Sequence, residues 1–271
     1  MQICSVPQTQ QKTTIEDNEK TTSSSKDFST TKQVQARGIS EEKLINSFTS
    51  ETRDSSYGQA HNSNSPFSGY LIPVGGGKDS VVTMELMRPH HDQSDCFVIN
   101  LTGAPVQTAH AAGFSDHNIC RFQRNLDLQI IQMNNDGFFN GHTPFSAIVA
   151  FSAYLCALFK KKKYIVLSNE SSANDTYVKG TTINHQYSKS LEFENDFRQF
   201  CNRELTSQIE YFSLLRPLNE WNIVKIFTQY PRYLDIFKSC NLGSKQNIWC
   251  AKCSKCLFTY IMLAPFVAEE Q

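Results

Sequence analysis

The sequence predicts a single α/β domain from about residue 57, with a mostly parallel, doubly wound sheet, helices on both faces and a small C-terminal subdomain. Three observations carry this reading. Short β-rich runs alternate with helical patterns over most of the chain, which is the signature of a layered α/β fold. A glycine triplet joins a strand pattern directly to a helix pattern. The 271 residues are 39% hydrophobic and 11% aromatic, enough to bury a substantial core.

Residues 1–56 hold 19 Ser and Thr with no recurring large apolar residue, so they cannot bury enough surface to offset the entropy of ordering and read as a disordered tail. Within them only Glu41 to Phe48 has the pattern of a short helix. Tyr70 to Val74 reads as the first strand, ending at Gly75-Gly76-Gly77, and Ser80 to Met87 as the helix after it. Cys96 to Asn100 is a second buried strand, Val106 to Ala112 a short helix, and Asn118 to Gln123 a third strand running into a polar turn. Pro144 to Phe159 is apolar on all faces and is expected to be a central helix, with proline in its first turn and Lys160 to Lys163 at its negative end. Tyr164 to Ser168 is the next strand, and Ile209 to Phe212 a strand between helices at Leu191–Leu205 and Asn219–Tyr230. The core of the fold is thus expected over residues 57–238, with residues 239–271 as the C-terminal segment.

Composition excludes several classes of function. Lys and Arg number 26 against 26 Asp and Glu, so no net positive charge is available to coat nucleic acid or an acidic membrane. The longest apolar stretch, Ala147 to Phe159, falls well short of the roughly 20 residues a membrane-crossing helix needs. No apolar leader follows Met1, which makes the cytoplasm the default compartment. Nine cysteines, four of them crowded near the C-terminus, suit a reducing compartment with one metal site better than a disulfide framework.

Two motifs carry chemistry. In Gly75-Gly76-Gly77-Lys78-Asp79-Ser80, backbone amides and a positive helix end converge between strand and helix, a natural place for phosphate. Glycine in such a turn can also serve sterics alone. The spacing fits neither a Walker A loop nor a dinucleotide fingerprint. Cys240, Cys250, Cys253 and Cys256 offer four soft ligands able to close a tetrahedron around zinc, although the C-x2-C-x2-C portion also suits an iron–sulfur cluster. Cys4, Cys96, Cys120, Cys156 and Cys201 are expected to be ordinary thiols.

The glycine motif resembles the SGGxDS loop of the PP-loop ATP pyrophosphatases, adenine nucleotide α-hydrolase-like enzymes, with Gly75 where their first Ser stands. The resemblance implies that Gly75, Gly76, Gly77 and Ser80 cradle the pyrophosphate of ATP, that Lys78 neutralises it and that Asp79 helps hold Mg²⁺. In that superfamily the 7-cyano-7-deazaguanine synthases bind zinc through a similar cysteine run, which favours structural Zn²⁺ here; other members carry a cluster.

Further runs narrow the resemblance: Asn169-Glu170-Ser171-Ser172-Ala173-Asn174, Asn184-His185-Gln186-Tyr187-Ser188-Lys189-Ser190, Asn140-Gly141-His142-Thr143-Pro144 and Arg216-Pro217-Leu218-Asn219-Glu220. Singly, each could be helix capping. In this order they resemble the family of ATP-dependent epimerases that invert the terminal glutamate of UDP-N-acetylmuramoyl-L-alanyl-L-glutamate in peptidoglycan precursor synthesis. That resemblance implies a carboxyl-adenylate intermediate with AMP and pyrophosphate as products. The candidate acid/bases are His185, Lys189, Glu170 and His142, with His185 preferred because its ordinary pKa lies near working pH. Asn169, Asn184, Tyr187 and Arg216 are the candidate substrate contacts. Members of this family carry a further domain upstream of the glycine loop, where this chain has residues 1–56. A separately encoded upstream domain is therefore an expected partner. The alternatives are another adenylating reaction, such as deazaguanine synthesis or tRNA thiolation, and a catalytically silent remnant that binds nucleotide or a partner.

Overall fold

A computed structural model describes residues 65–99, 103–139, 144–176, 178, 180–181, 183–243 and 246–267. The expected tail, its short helix at 41–48 and Cys4 lie outside these residues. Five strands form one sheet: β1 (Tyr70–Pro73), β2 (Ser94–Ile99), β3 (Ile119–Phe122), β4 (Tyr164–Leu167) and β5 (Glu210–Ser213), in the order β3-β2-β1-β4-β5. Every pairing is parallel, with Ile72 opposite Cys96, Cys96 opposite Ile119, Tyr70 opposite Tyr164, and Tyr164 opposite Glu210. The chain winds outward from β1 to β3, then returns to lay β4 on the other side of β1. The doubly wound expectation therefore holds, and the order reverses between β1 and β4, at whose carboxyl ends such sheets bind ligands.

A parallel sheet is covered on both faces, and this accounts for its run-like strands: Leu71 and Ile72 point to opposite faces and both are fully buried. On one face Leu71, Phe97, Ile165 and Tyr211 pack with Ala150, Ala153, Tyr154, Ala157 and Phe197, from helices α4 (Phe145–Lys160) and α5 (Leu191–Glu204). On the other, α1 (Lys78–Leu86) lies against β1, β4 and α6 (Glu220–Phe227), with α2 (Ala104–Ala111) against β2. The capping chemistry is local. Ser190 accepts from the Phe193 amide at 3.1 Å to start α5, and Asn219 accepts from the Asn222 amide at 2.9 Å to start α6.

Two expectations need correction. The helix expected to be central because it is apolar on all faces, α4, buries only the stripe Ala150, Ala153, Tyr154 and Ala157, whose alanines let it sit close on the sheet. Phe151, Leu155 and Phe159 face outward at 51%, 42% and 79% exposure. Composition reports how apolar a helix is but not which side meets the sheet. The polar turn predicted after β3 contains a further helix, α3 (Leu128–Asn135), started by the Asp127 carboxylate accepting from the Gln129 amide at 2.8 Å. It buries no residue, so no core-facing stripe announced it.

The C-terminal segment carries α7 (Ser254–Leu263), and the chain leading into it is fastened to the glycine loop and to the start of α2. The Lys238 amide donates to the Gly76 carbonyl at 2.9 Å, and the Asn247 side chain accepts from the Ala104 amide at the start of α2 at 2.8 Å. Phe237 and Trp249 meet edge to face at 5.2 Å. No helix among the described residues is long and apolar enough to cross a membrane.

Candidate functional site

The glycine loop leaves β1 at its carboxyl end. Gly76 has φ +79°, and a Cβ there would stand 2.5 Å from the Pro105 nitrogen, so this position needs glycine both for its backbone conformation and for the close approach of α2. Gly75 is exposed and nothing stands within 4 Å of where its Cβ would be, which leaves the loop open on that side. Gly77 precedes α1 without a side-chain cap, so the first amides of that helix end at the loop. The Ser80 hydroxyl donates to the Gly77 carbonyl at 2.9 Å and accepts from the Gly76 amide at 3.2 Å. Its proton is committed to shaping the loop.

Lys78 is only 4% exposed although it is charged. Its Nζ lies 2.5 Å from Asp79 Oδ1 and 2.5 Å from Glu220 Oε2. Burial disfavours the ammonium, but the two carboxylates outweigh that and hold its pKa above the ordinary lysine value. Glu220 is the first residue of α6, and it comes to the loop because α6 packs along α1. The sequence reading quoted Glu220 only as the end of a run; its position at the start of a capped helix was the available signal.

The polar runs reach this cluster through Lys189, which interacts with Asp79 and Glu220. Asn169, just past β4, donates to the Ser213 hydroxyl at 3.0 Å. Glu170 accepts from the Ser172 hydroxyl at 2.8 Å. Lys189 is half-buried and donates to Gln186 at 3.1 Å; burial and then the Lys255 charge push its pKa down, against the pull of Glu170, Asp79 and Glu220. Lys255, which sequence reasoning passed over, lies between two of the cysteines. Arg216 is 12% exposed and donates to the Glu170 carbonyl at 3.1 Å, the Lys189 carbonyl at 2.9 Å and Glu194 at 3.0 Å, so it clamps the two runs to α5. Asn184 spends its side chain on the Ala173 carbonyl at 2.9 Å and the Gln186 amide at 2.7 Å, shaping its own turn. Tyr187 donates to Asp196 at 2.5 Å, a bond that pushes the phenol up to about 12. His185 is exposed on the same turn. His142 lies outside the described residues.

Among the described residues, the Sγ atoms of Cys240, Cys250, Cys253 and Cys256 all lie within 4.8 Å of one another. The separations are 3.9 Å for Cys240 to Cys253, 3.8 Å for Cys250 to Cys256 and 3.5 Å for Cys253 to Cys256. Thiolates ~2.3 Å from one central ion stand ~3.8 Å apart at the corners of a tetrahedron. A cluster would hold them farther apart, because its iron–iron separations add to that edge. The amides of Gly243 and Cys250 donate to Cys240 at 3.1 and 3.4 Å, and those of Asn241 and Cys256 pull the Cys253 thiol down to about 6. The backbone thus favours the thiolate at Cys240 and Cys253, whereas burial and the neighbouring thiols push Cys256 up to about 12.

Comparison with known proteins bears on the same residues. A family model described as the MurL N-terminal domain matches residues 9–214, a span that takes in the glycine loop and the polar runs up to Ser190 but not the run Arg216 to Glu220. A second, the MurL C-terminal domain, matches residues 236–271 with all four cysteines. A curated UDP-N-acetyl-alpha-D-muramoyl-L-alanyl-L-glutamate epimerase from Micromonospora sp. is 35% identical, covering 74% of this chain and 46% of that protein. One of the same name from Xanthomonas oryzae pv. oryzae is 36% identical, with 74% and 46% covered. The chain therefore spans about half the length of the curated relatives it matches. Among solved structures, the chain is similar to the U34-tRNA thiolase NcsA from Methanococcus maripaludis with its 4Fe-4S cluster, at TM-score 0.44 and 10% identity, covering 83% of this chain and 79% of that one. With both domain models matched in order along one polypeptide, the chain belongs to the MurL family.

Proposed function

We propose that this chain carries the nucleotide site of an ATP-dependent epimerase acting on UDP-N-acetylmuramoyl-L-alanyl-L-glutamate. The observation that carries the reading is the uncapped start of α1 behind an open glycine loop, with Lys78 held beside it, in a chain of the MurL family. Removing the α-proton of a peptide-terminal glutamate places a carbanion beside a carboxylate. Transfer of AMP to that carboxylate cancels its charge and turns the carbonyl into an electron sink, while pyrophosphate leaves. The loop amides and the Lys78 ammonium suit the charge that develops on the leaving phosphates. Asp79 is the residue here to help hold Mg²⁺, which would neutralise the same phosphates.

Of the candidate acid/bases, Lys189 is favoured over His185 by its surroundings. A base must be neutral at working pH, and burial together with Lys255 moves Lys189 in that direction while it faces the carboxylates of the loop cluster. Reprotonation from the opposite face and hydrolysis of the adenylate would complete the inversion. The four cysteines would hold one structural Zn²⁺, which supplies no chemistry to the reaction and ties the loop after Ser239 to the start of α7. The test is incubation of the chain with ATP, Mg²⁺ and the L-glutamate muramoyl dipeptide, following AMP and product chirality together. AMP with a D-glutamate product supports the reading. ADP, or AMP with the L-centre retained and no solvent deuterium at the α-carbon, overturns it in favour of ordinary phosphotransfer or adenylate transfer.

A further inference from the structure

We propose that Glu220 is a positioning residue for the nucleotide loop, acting through Lys78: its ion pair fixes the ammonium beside the loop, where it faces the phosphates. This rests on the reading of the loop as an ATP site. Lysine is a flexible side chain with three N–H donors and loses much rotamer freedom when fixed. Here the ammonium donates to Asp79 Oδ1 and is ion-paired with Glu220 Oε2, each at 2.5 Å. Asp79 is the next residue in α1 and moves with Lys78. Glu220 belongs to another element, so it is the contact that references the ammonium to the rest of the fold. It is itself well anchored. It begins α6 behind the Asn219 cap, and α6 packs along α1 with Ile223, Val224 and Phe227 buried.

The carboxylate is not simply a competitor for the lysine. Lys78 stands against two carboxylates, and with Asp79 available to Mg²⁺ the repulsion of an incoming phosphate by Glu220 is offset by the ammonium it orients. A group fixed before the substrate arrives costs no reorganisation when charge develops, and its benefit falls on turnover more than on ground-state binding.

The experiment compares Glu220→Ala, Glu220→Asp and Glu220→Gln in the full chain, alone and with Lys78→Ala. Glu220→Ala is expected to slow ATP-dependent AMP release ~10-fold or more while the KM for ATP moves less than ~3-fold. Glu220→Asp, which keeps the charge, should recover more of the rate than Glu220→Gln. In the Lys78→Ala chain the Glu220 change should alter the rate by less than ~2-fold, since the contact it removes is already gone. A second readout needs no nucleotide. The ¹⁵Nζ NMR signal of Lys78, assigned by its loss in Lys78→Arg, should be sharp in the wild-type chain and broadened in Glu220→Ala. If Glu220→Ala slows the Lys78→Ala chain as much as the wild type, or leaves the Nζ signal unchanged, Glu220 is only part of the scaffold and the proposal is wrong. If the wild-type chain makes no AMP, the epimerase reading fails, and the Nζ signal still decides whether Glu220 holds the ammonium.

Discussion

The glycine loop and the cysteine cluster both gather polar groups in a small space, but they balance them differently. At the loop, opposite charges meet within the fold: Ser80 bonds the loop backbone, and Lys78 is ion-paired with two carboxylates. At the cluster, four like ligands face one another, with backbone amides of Gly243 and Cys250 turned toward Cys240. A balanced site keeps its shape without a ligand, whereas four converging thiolates repel one another and need a cation at the centre. Changes at the loop should therefore cost reaction rate more than stability, and changes at the cluster the reverse.

The largest effect is expected where the two regions act on one group. Lys189 is influenced by Asp79 and Glu220 from the loop and by Lys255 from the cysteine segment. If it is one of the two acid/bases, Lys189→Ala should slow ATP-dependent uptake of solvent deuterium at the glutamate α-carbon by ~10²-fold or more, with AMP formation retained. His185→Ala, on the exposed turn, should slow it less. Deuterium uptake measured by mass spectrometry in D₂O ranks the two, and the opposite order would return the role to His185.

Lys78→Ala comes next. It should cost about 10²-fold in AMP formation, the scale of losing one preorganised contact to a developing charge, and leave Asp79 and Glu220 facing each other without their counter-ion. Metal content should not change. Steady-state rates with zinc analysis on the same sample test both halves, and a loss of metal in this variant would break the distinction between the two regions.

The two regions also differ in how far they could be read from the sequence. The cluster was legible because its ligands are close in sequence and their side chains share one chemistry. The β1–loop–α1 unit was legible for the same reason, with strand, glycines and helix start adjacent. Glu220 was not singled out, because its relation to Lys78 exists only once α6 packs along α1. Arg216 and Asn184 were identified as polar residues near a site, but the sequence could not say that their hydrogen bonds go to neighbouring backbone. The outward apolar face of α4 was illegible because both sides of that helix are apolar, and α3 because no side of it is buried.

Cys253→Ser should release the ion and loosen the segment from Ser239 to α7, leaving the sheet intact. The surface change Lys252→Ala should do neither. Elemental analysis of anaerobically purified protein, with limited proteolysis of the C-terminal segment, provides the measurement: about one zinc per chain in the wild type, little in Cys253→Ser, and cleavage confined to the C-terminal end. Several irons with labile sulfide would instead indicate a cluster and move the function towards thiolation.

The smallest effect is expected at the far end of α1, where balance is again complete but no ligand is involved. The Glu85 side chain is fully buried, accepts from Arg88 at 2.8 and 2.9 Å and from Arg232 at 2.6 Å, and is bonded by the Tyr233 hydroxyl. Burial works against its charge, but these donors outweigh burial and hold its pKa below the ordinary glutamate value. A carboxylate whose pKa is lowered in the folded state adds stability above its unfolded pKa of ~4.3, and that contribution is lost as the pH falls through the lower folded value. Both arginines are about half exposed, so water compensates part of any loss, and Glu85→Gln should cost about 2 kcal/mol at pH 7 rather than the full amount for a buried pair. As the pH falls below ~4.3 and through the lower folded value, the wild type should approach the variant, because its own Glu85 becomes protonated only there. Urea melts in a series from pH 7 down to about pH 2 test this through the gap between the two proteins. A gap that stays constant with pH would mean that Glu85 acts through packing and not through its charge.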